Sequence, residues 1–116
     1  MVETMEPEMH LTDLEPQFVR PGEREGRFVI EKVKTLPEAK GIMFLCPHCF
    51  QANQGPKGTH RVLCWTPEVP QEVGAGPGRW PMSGTGYHNL TLTPSVHLLG
   101  ACGWHGFITE GKVSTV

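Results

Sequence analysis

The sequence predicts a small, mostly β, single domain whose antiparallel strands and C-terminal hairpin are tied together by a zinc site. Its apolar stretches are short and rich in β-branched residues, and none repeats with the 3.6-residue period of a helix. Two pairs of metal-ligating residues lie far apart in the chain. A chain of 116 residues has room for one modest core, which a metal would reinforce.

The distribution of charge divides the chain into an acidic arm, residues 1–25, and a zinc-binding β domain, residues 26–116. The arm carries seven carboxylates and two arginines, a net charge of −5, together with three prolines. Acidic segments with few apolar residues do not bury enough surface to fold alone. We therefore expect an extended arm that adds little to the core. It is either a solvated tail or a segment that becomes ordered on a protein partner or a neighbouring subunit.

The first half of the domain predicts three strands. Residues 27–33 are β-branched and partly alternating, which favours a strand. Residues 36–39 are expected to form one short helical turn. The apolar run at residues 41–45 predicts a buried strand that leads directly into the first cysteine pair, and residues 61–65 predict another strand.

The second half begins with a long loop at residues 66–86, which contain five glycines and four prolines and therefore exclude a regular element. Trp80 within this loop is expected to dock on its own domain or on a partner. Leu90, Leu92 and Val96 predict a strand interrupted at Pro94. Residues 104–109 and 112–116 flank Glu110-Gly111, which predicts a hairpin with a two-residue turn.

Two short motifs predict the zinc site. The first is Cys46-Pro47-His48-Cys49 and the second is Cys102-Gly103-Trp104-His105. Each motif has two residues between its ligands, a spacing that lets both ligands reach one tetrahedral zinc ion. Cys46, Cys49, Cys102 and His105 would fill all four positions, and such closed sites are structural rather than catalytic.

Other interpretations of the cysteines stay open at this point. Three of the four predicted ligands are cysteines. Instead of binding a metal, these cysteines could form a disulfide or could be reduced thiols that are buried close together. His48 is the alternative ligand within the first motif, and Cys64 is interpreted as a small buried apolar residue. No secretory signal opens the sequence, and thiols that are not exported stay reduced, which favours a metal over a disulfide.

Several segments together resemble one family. They are Leu36-Pro37-Glu38, Phe44-Leu45-Cys46-Pro47-His48-Cys49, Leu90-Thr91-Leu92-Thr93-Pro94-Ser95-Val96 and the string from Cys102 to Val113. Their order and spacing resemble the small peptidase-like family encoded beside bacterial ubiquitin-like conjugation genes, and the string from Gly78 to His88 resembles its short stand-alone phage-encoded members. The resemblance implies a zinc-supported β domain. In conjugation-linked members a serine hydrolyses the bond after a ubiquitin-like C-terminus, and Ser95 matches that serine.

Catalysis by Ser95 would require a base within hydrogen-bond reach. His97, two residues away, and His88 are the nearby candidates, and Glu31 or Glu38 would serve if its carboxylate were buried beside the serine. In the alternative interpretation Ser95 is a turn residue whose hydroxyl binds the backbone. A base within about 3 Å of the Ser95 hydroxyl would favour the enzyme.

Two functions follow from these observations. The first is a phage-type interaction or virion-associated protein on a peptidase-like scaffold, which binds neighbouring subunits through residues 1–25 and the loop 66–86. The alternative is a serine peptidase or hydrolase that acts on a ubiquitin-like or other protein tail. We expect the host cytoplasm or a virion as its location. No apolar run is long enough to span a membrane, and a pI of about 6.3 without runs of Lys or Arg argues against nucleic acid.

Overall fold

Two antiparallel sheets make up the computed structural model, which describes residues 9–73, 78–98 and 102–116. Within these ranges the elements are β1 (Met9–His10), a 3-10 turn (Leu11–Leu14), β2 (Gln17–Arg24), β3 (Arg27–Lys32), a 3-10 turn (Leu36–Glu38), β4 (Gly41–Leu45), helix α1 (Pro47–Asn53), β5 (Arg61–Trp65), β6 (Met82–Ser83), a 3-10 turn (Tyr87–Asn89), β7 (Thr91–His97), β8 (His105–Thr109) and β9 (Lys112–Thr115). The larger sheet has the order β1-β9-β8-β7-β6, and the smaller sheet has the order β3-β2-β4-β5. The predicted mostly β fold class is confirmed.

The strands predicted from β-branched and apolar runs are present. β3, β4 and β5 match their predicted segments to within one residue, and the helical turn falls at Leu36–Glu38. The C-terminal hairpin is confirmed as well. Its turn residues Glu110 and Gly111 have φ angles of 48° and 79°, and positive values at both positions are the condition for a two-residue turn that matches the twist of the strands.

The core lies between the two sheets. Phe18, Ile42 and Phe44 from the smaller sheet pack with Leu92 and Ile108 from the larger sheet in one continuous buried cluster. Along β8 the buried residues Gly106 and Ile108 alternate with residues that face outward, as the period of two requires for a sheet with one buried face. β4 is buried over most of its length. None of the helices among the described residues has the length and apolar character needed to cross a membrane.

The acidic-arm prediction for residues 1–25 is wrong where the structure describes that segment. Residues 1–8 lie outside the described residues, but β1 pairs with β9, and β2 is the strand that joins β3 to β4. Leu11 and Leu14 between them are fully buried. The boundary between residues 25 and 26 is therefore no domain boundary: it falls inside the Glu25-Gly26 turn of the β2–β3 hairpin.

The predicted loop 66–86 contains one short strand, β6, and residues 74–77 of it lie outside the described residues. Its described parts are fixed to the domain. The Trp80 N–H donates a hydrogen bond to the Trp65 carbonyl of β5 at 2.8 Å. Within the loop, the Arg79 guanidinium donates hydrogen bonds to the carbonyl oxygens of Val69, Pro70 and Val73 at 2.7–3.3 Å. The Trp80 ring packs against the main core cluster, so this tryptophan docks on its own domain.

Strand β7 is irregular at the predicted interruption. Leu92 pairs with Ile108 and Val96 pairs with Gly106, so four steps along β7 match two steps along β8. The residues between Leu92 and Val96 therefore form a bulge, which contains the cis Thr93–Pro94 bond and Ser95. Bulges redirect side chains and are common beside active sites.

Candidate functional site

Three cysteines and one histidine converge at one end of the two sheets. Cys46 follows β4 and caps helix α1, whose first turn carries Cys49. The ladder between β4 and β5 continues one step further, because the Cys46 N–H donates to the His60 carbonyl at 2.9 Å. Cys102, which comes from the connection between β7 and β8, completes the group.

The spacing of the four side chains fits a metal ion. Their ligand atoms all lie within 4.8 Å of one another, with 3.4 Å between the Cys46 and Cys102 sulfurs and 3.5 Å from the Cys102 sulfur to the His60 Nε2. A tetrahedral ion with metal–sulfur bonds of about 2.3 Å would separate two sulfurs by about 3.8 Å. All four cysteines of the chain are free thiols, so the disulfide interpretation is not supported. Cys46, Cys49, His60 and Cys102 can therefore hold a metal.

The thiols of this group differ in acidity. Burial, together with the neighbouring Cys102, raises the pKa of Cys46 to about 12 and also raises the pKa of Cys49. Burial acts the same way on Cys102, but hydrogen bonds from His60 and from the Trp104 backbone outweigh it and lower the pKa of Cys102 to about 6. Three thiolates side by side repel one another, and a divalent cation is the partner that would stabilise all of them.

The prediction of His105 as the fourth ligand is wrong, because His60 occupies that position. The reason lies in the alternation of β8. Trp104 is buried and Gly106 and Ile108 face the core, so His105 points to the outer face of the larger sheet. His48 is not part of the group either. Cys64 is fully buried, as predicted, and burial raises its pKa to about 12.

His105 instead contacts the predicted nucleophile. Its Nε2 lies 2.8 Å from the Ser95 Oγ, a hydrogen-bond distance, and both residues are half-buried. The bulge in β7 places Ser95 beside the start of β8, where the His105 ring reaches it across the ladder. The criterion of a base within about 3 Å is thus satisfied by a histidine that sequence reasoning had assigned to the metal.

The two histidines predicted as bases have other positions. His97 is the cross-strand partner of His105, and the two rings stack with centroids 4.4 Å apart and planes 18° from parallel. His88 lies on the 3-10 turn whose backbone packs against Gly111, at the opposite end of β8 from His105. Glu31 pairs with Arg20 and Glu38 with Thr35, both on the surface. Among the described residues no carboxylate is hydrogen-bonded to His105.

The backbone of Ser95 is also held in place. The Trp80 indole Nε1 donates a hydrogen bond to the Ser95 carbonyl oxygen at 3.0 Å. Gly78 allows this contact, because a Cβ at that position would collide with the Trp80 ring. The Gly/Pro-rich loop thus supports the bulge from the side opposite β8.

The sequence matches the model of one known protein family. A family model described as "Bacterial ubiquitination-like system serine protease (BubE)" matches residues 15–116. The chain belongs to the BubE family. The match includes every residue of the cysteine group together with Ser95 and His105, and it begins within the segment that had been predicted to be an arm.

Membership of the BubE family supports an association with bacterial ubiquitin-like systems, as the sequence resemblance implied. No curated protein and no solved structure matches the chain. For this BubE-family protein the assignment of roles to individual residues therefore depends on the geometry described above.

Proposed function

We propose that this protein is a serine-type peptidase that hydrolyses the bond after the C-terminal tail of a ubiquitin-like protein. Ser95 is the nucleophile and His105 is the general base. The observation that carries the proposal is the 2.8 Å contact between the Ser95 Oγ and the His105 Nε2. The description of the BubE family as a serine protease of bacterial ubiquitination-like systems supports the same chemistry.

The geometry is suited to acyl transfer. With its proton on Nδ1, the His105 ring accepts the Ser95 hydroxyl proton at Nε2 while the Ser95 oxygen attacks the carbonyl carbon of the substrate. The same nitrogen then gives that proton to the leaving amine as the C–N bond breaks. A water molecule, deprotonated by His105, hydrolyses the resulting acyl–serine ester and restores the free hydroxyl.

His97 contacts the face of the His105 ring, whereas the carboxylate of a triad would accept a hydrogen bond at the ring edge. The His97 ring stacks on His105, which limits rotation of the His105 side chain and keeps Nε2 directed at Ser95. We therefore assign His97 as a positioning residue. The arrangement is a Ser–His dyad rather than a complete triad among the described residues.

Zinc is the ion that we assign to Cys46, Cys49, His60 and Cys102. Three thiolates and one imidazole match its preference for sulfur and nitrogen in a closed tetrahedral site. Such an ion supplies structural stability rather than a reactive water, because protein ligands fill all four positions. Cys102 lies only three residues before His105, so the ion would also fix the start of β8.

The alternative is a non-catalytic interaction or virion protein of phage type on the same scaffold. The string Gly78 to His88 favours it, and binding of a protein partner through residues 1–25 and the loop 66–86 stays a prediction. Residues 9–24 and Trp80 are already engaged within the domain, which leaves less of both segments for a partner. Neighbouring conjugation genes would support the peptidase, whereas head or tail genes would support the virion protein.

A serine-directed fluorophosphonate probe tests the proposed function. We expect it to label the wild-type protein, and we expect Ser95→Ala and His105→Ala to abolish labelling. Loss of one hydroxyl at Ser95 should lower the free energy of unfolding by no more than about 1 kcal/mol. His88→Ala is the matched control, because His88 has no hydrogen bond to Ser95, and it should label like the wild type. Labelling that persists in Ser95→Ala would place the nucleophile elsewhere and contradict the proposal.

A further inference from the structure

The outer face of the larger sheet carries the Ser95–His105 pair. Along β8, Gly106 and Ile108 face the core, whereas His105, Phe107 and Thr109 face outward. His97 pairs with His105 across the ladder, and Ser114 pairs with Phe107. A substrate that reaches Ser95 must therefore lie on this face, beside the side chains that project from β8.

Phe107 is the large apolar side chain on this face. It is 44% exposed, and it lies two residues from His105 on the same strand and the same side of the sheet. Val116, whose N–H donates to the His105 carbonyl at 2.9 Å, is also exposed. Two of the four exposed large apolar residues in the described part of the chain thus flank the base. Exposed apolar groups that gather beside reactive side chains mark binding surfaces.

The strand beneath Phe107 is tightly packed. A Cβ at Gly106 would collide with the Ser114 carbonyl and with the Trp104 ring. The β8 backbone at Gly106 is therefore in close contact with both groups. The Trp104 indole in turn donates to the Thr115 hydroxyl at 3.1 Å. Phe107 therefore projects from a rigid strand, which is the support that a specific contact requires.

The distance between His105 and Phe107 along β8 determines which substrate residue can contact Phe107. Two residues of a strand span about 7 Å, which is also the span of two residues in an extended substrate. An open depression of about 640 Å³ lies at the turn end of the β8–β9 hairpin. Its lining includes Thr109, Lys112 and Ser114, and Ser114 is the cross-strand partner of Phe107. An open face of this kind accommodates an extended polypeptide, whereas a small ester or amide would leave most of it uncovered.

We propose that Phe107 forms an apolar subsite that binds a large apolar side chain of an extended polypeptide substrate, two residues from the residue whose carbonyl Ser95 attacks. That position is the third residue before or the second residue after the cleaved bond. This inference rests on the proposed function, because it places the substrate relative to Ser95. Phe107 contributes binding and specificity, and it takes no part in proton transfer.

Paired fluorogenic octapeptides test this inference. One peptide of each pair has leucine and the other has glycine, either at the third position before the cleaved bond or at the second position after it. We expect the wild-type protein to cleave the leucine peptide with the higher kcat/KM and Phe107→Ala to reduce that preference about tenfold or more, mainly through KM. Phe107→Leu should keep most of the preference.

Phe28→Ala is the matched control. Phe28 is 48% exposed on β3 of the other sheet, so its truncation removes a similar apolar surface away from Ser95 and should leave the preference unchanged. A Phe107→Ala protein that loses activity equally on both peptides, or that keeps its preference, would overturn the inference while labelling of Ser95 still supported the peptidase. A wild-type protein that neither labels nor cleaves would overturn both.

Discussion

Replacing Cys46 by serine is expected to remove the metal and unfold the domain. Cys46 is fully buried and its sulfur lies 3.4 Å from that of Cys102, so no other side chain can take its place without rearrangement. Structural zinc contributes on the order of 10 kcal/mol in small modules, which is comparable to the whole stability of a typical domain. Elemental analysis should give about one zinc per wild-type chain and none in Cys46→Ser, and circular dichroism should show no cooperative melting in the variant.

Cys64→Ala provides the control for this experiment. Cys64 is as buried as Cys46 but lies on β5 outside the metal group, where it acts as an apolar side chain. Its replacement should keep the zinc and lower the free energy of unfolding by about 1 kcal/mol. A folded, zinc-free Cys46→Ser protein would show that the metal is not required for the fold.

Removal of residues 1–24 is expected to abolish folding rather than to trim an arm. The deletion takes away β2, which lies between β3 and β4, and it leaves β3 without its partner. It also removes Leu11 and Leu14, both fully buried. The truncated protein should lack a thermal transition and bind a hydrophobic dye. A truncated protein that melts like the full chain would contradict the placement of β2 in the sheet.

A point substitution tests the same segment more gently. Phe18 on β2 is buried, stacks on Tyr87 at 4.2 Å between ring centroids, and its N–H donates to the Tyr87 hydroxyl. Phe18→Ala should lower the free energy of unfolding by about 3–5 kcal/mol, measured by denaturant titration. Glu23→Ala, at an exposed position of the same strand, should change it by less than about 0.5 kcal/mol.

β3, β4 and β5 could be predicted because each is a continuous β-branched or apolar segment of the sequence. β2 could not be predicted in this way. Its segment is rich in charge and contains Pro21, which argues against a central strand. β4 pairs with β2 only at residues 17–19, so beyond that point β2 has an open side, and the missing N–H of Pro21 breaks no ladder bond. The sequence does not indicate which residues of β2 pair with β4. That relation depends on how the whole sheet assembles.

The candidate site was predictable in its cysteines and its serine but not in its histidines. Both ligand motifs have the same spacing, yet the His105 side chain is turned outward by the burial of Trp104 beside it. His60 had one usable signal. It directly precedes the predicted strand 61–65, and an antiparallel pairing of that strand with residues 41–45 places His60 opposite Cys46. The predicted strands 41–45 and 61–65, considered as an antiparallel pair, would have identified His60 as a ligand.

The metal group is divided unequally between the sheets. Cys46, Cys49 and His60 are attached to the smaller sheet through β4, α1 and β5, whereas Cys102 alone comes from the larger sheet. A bound ion would therefore cross-link the two sheets through a single bond, the one to Cys102. If the sheets separated, that bond would break, and the ion would stay on the smaller sheet with three protein ligands and one position open to water. In a cobalt-substituted protein, transient opening would exchange a thiolate for an oxygen ligand and change the visible spectrum. The rate of that change would report how often the two layers part.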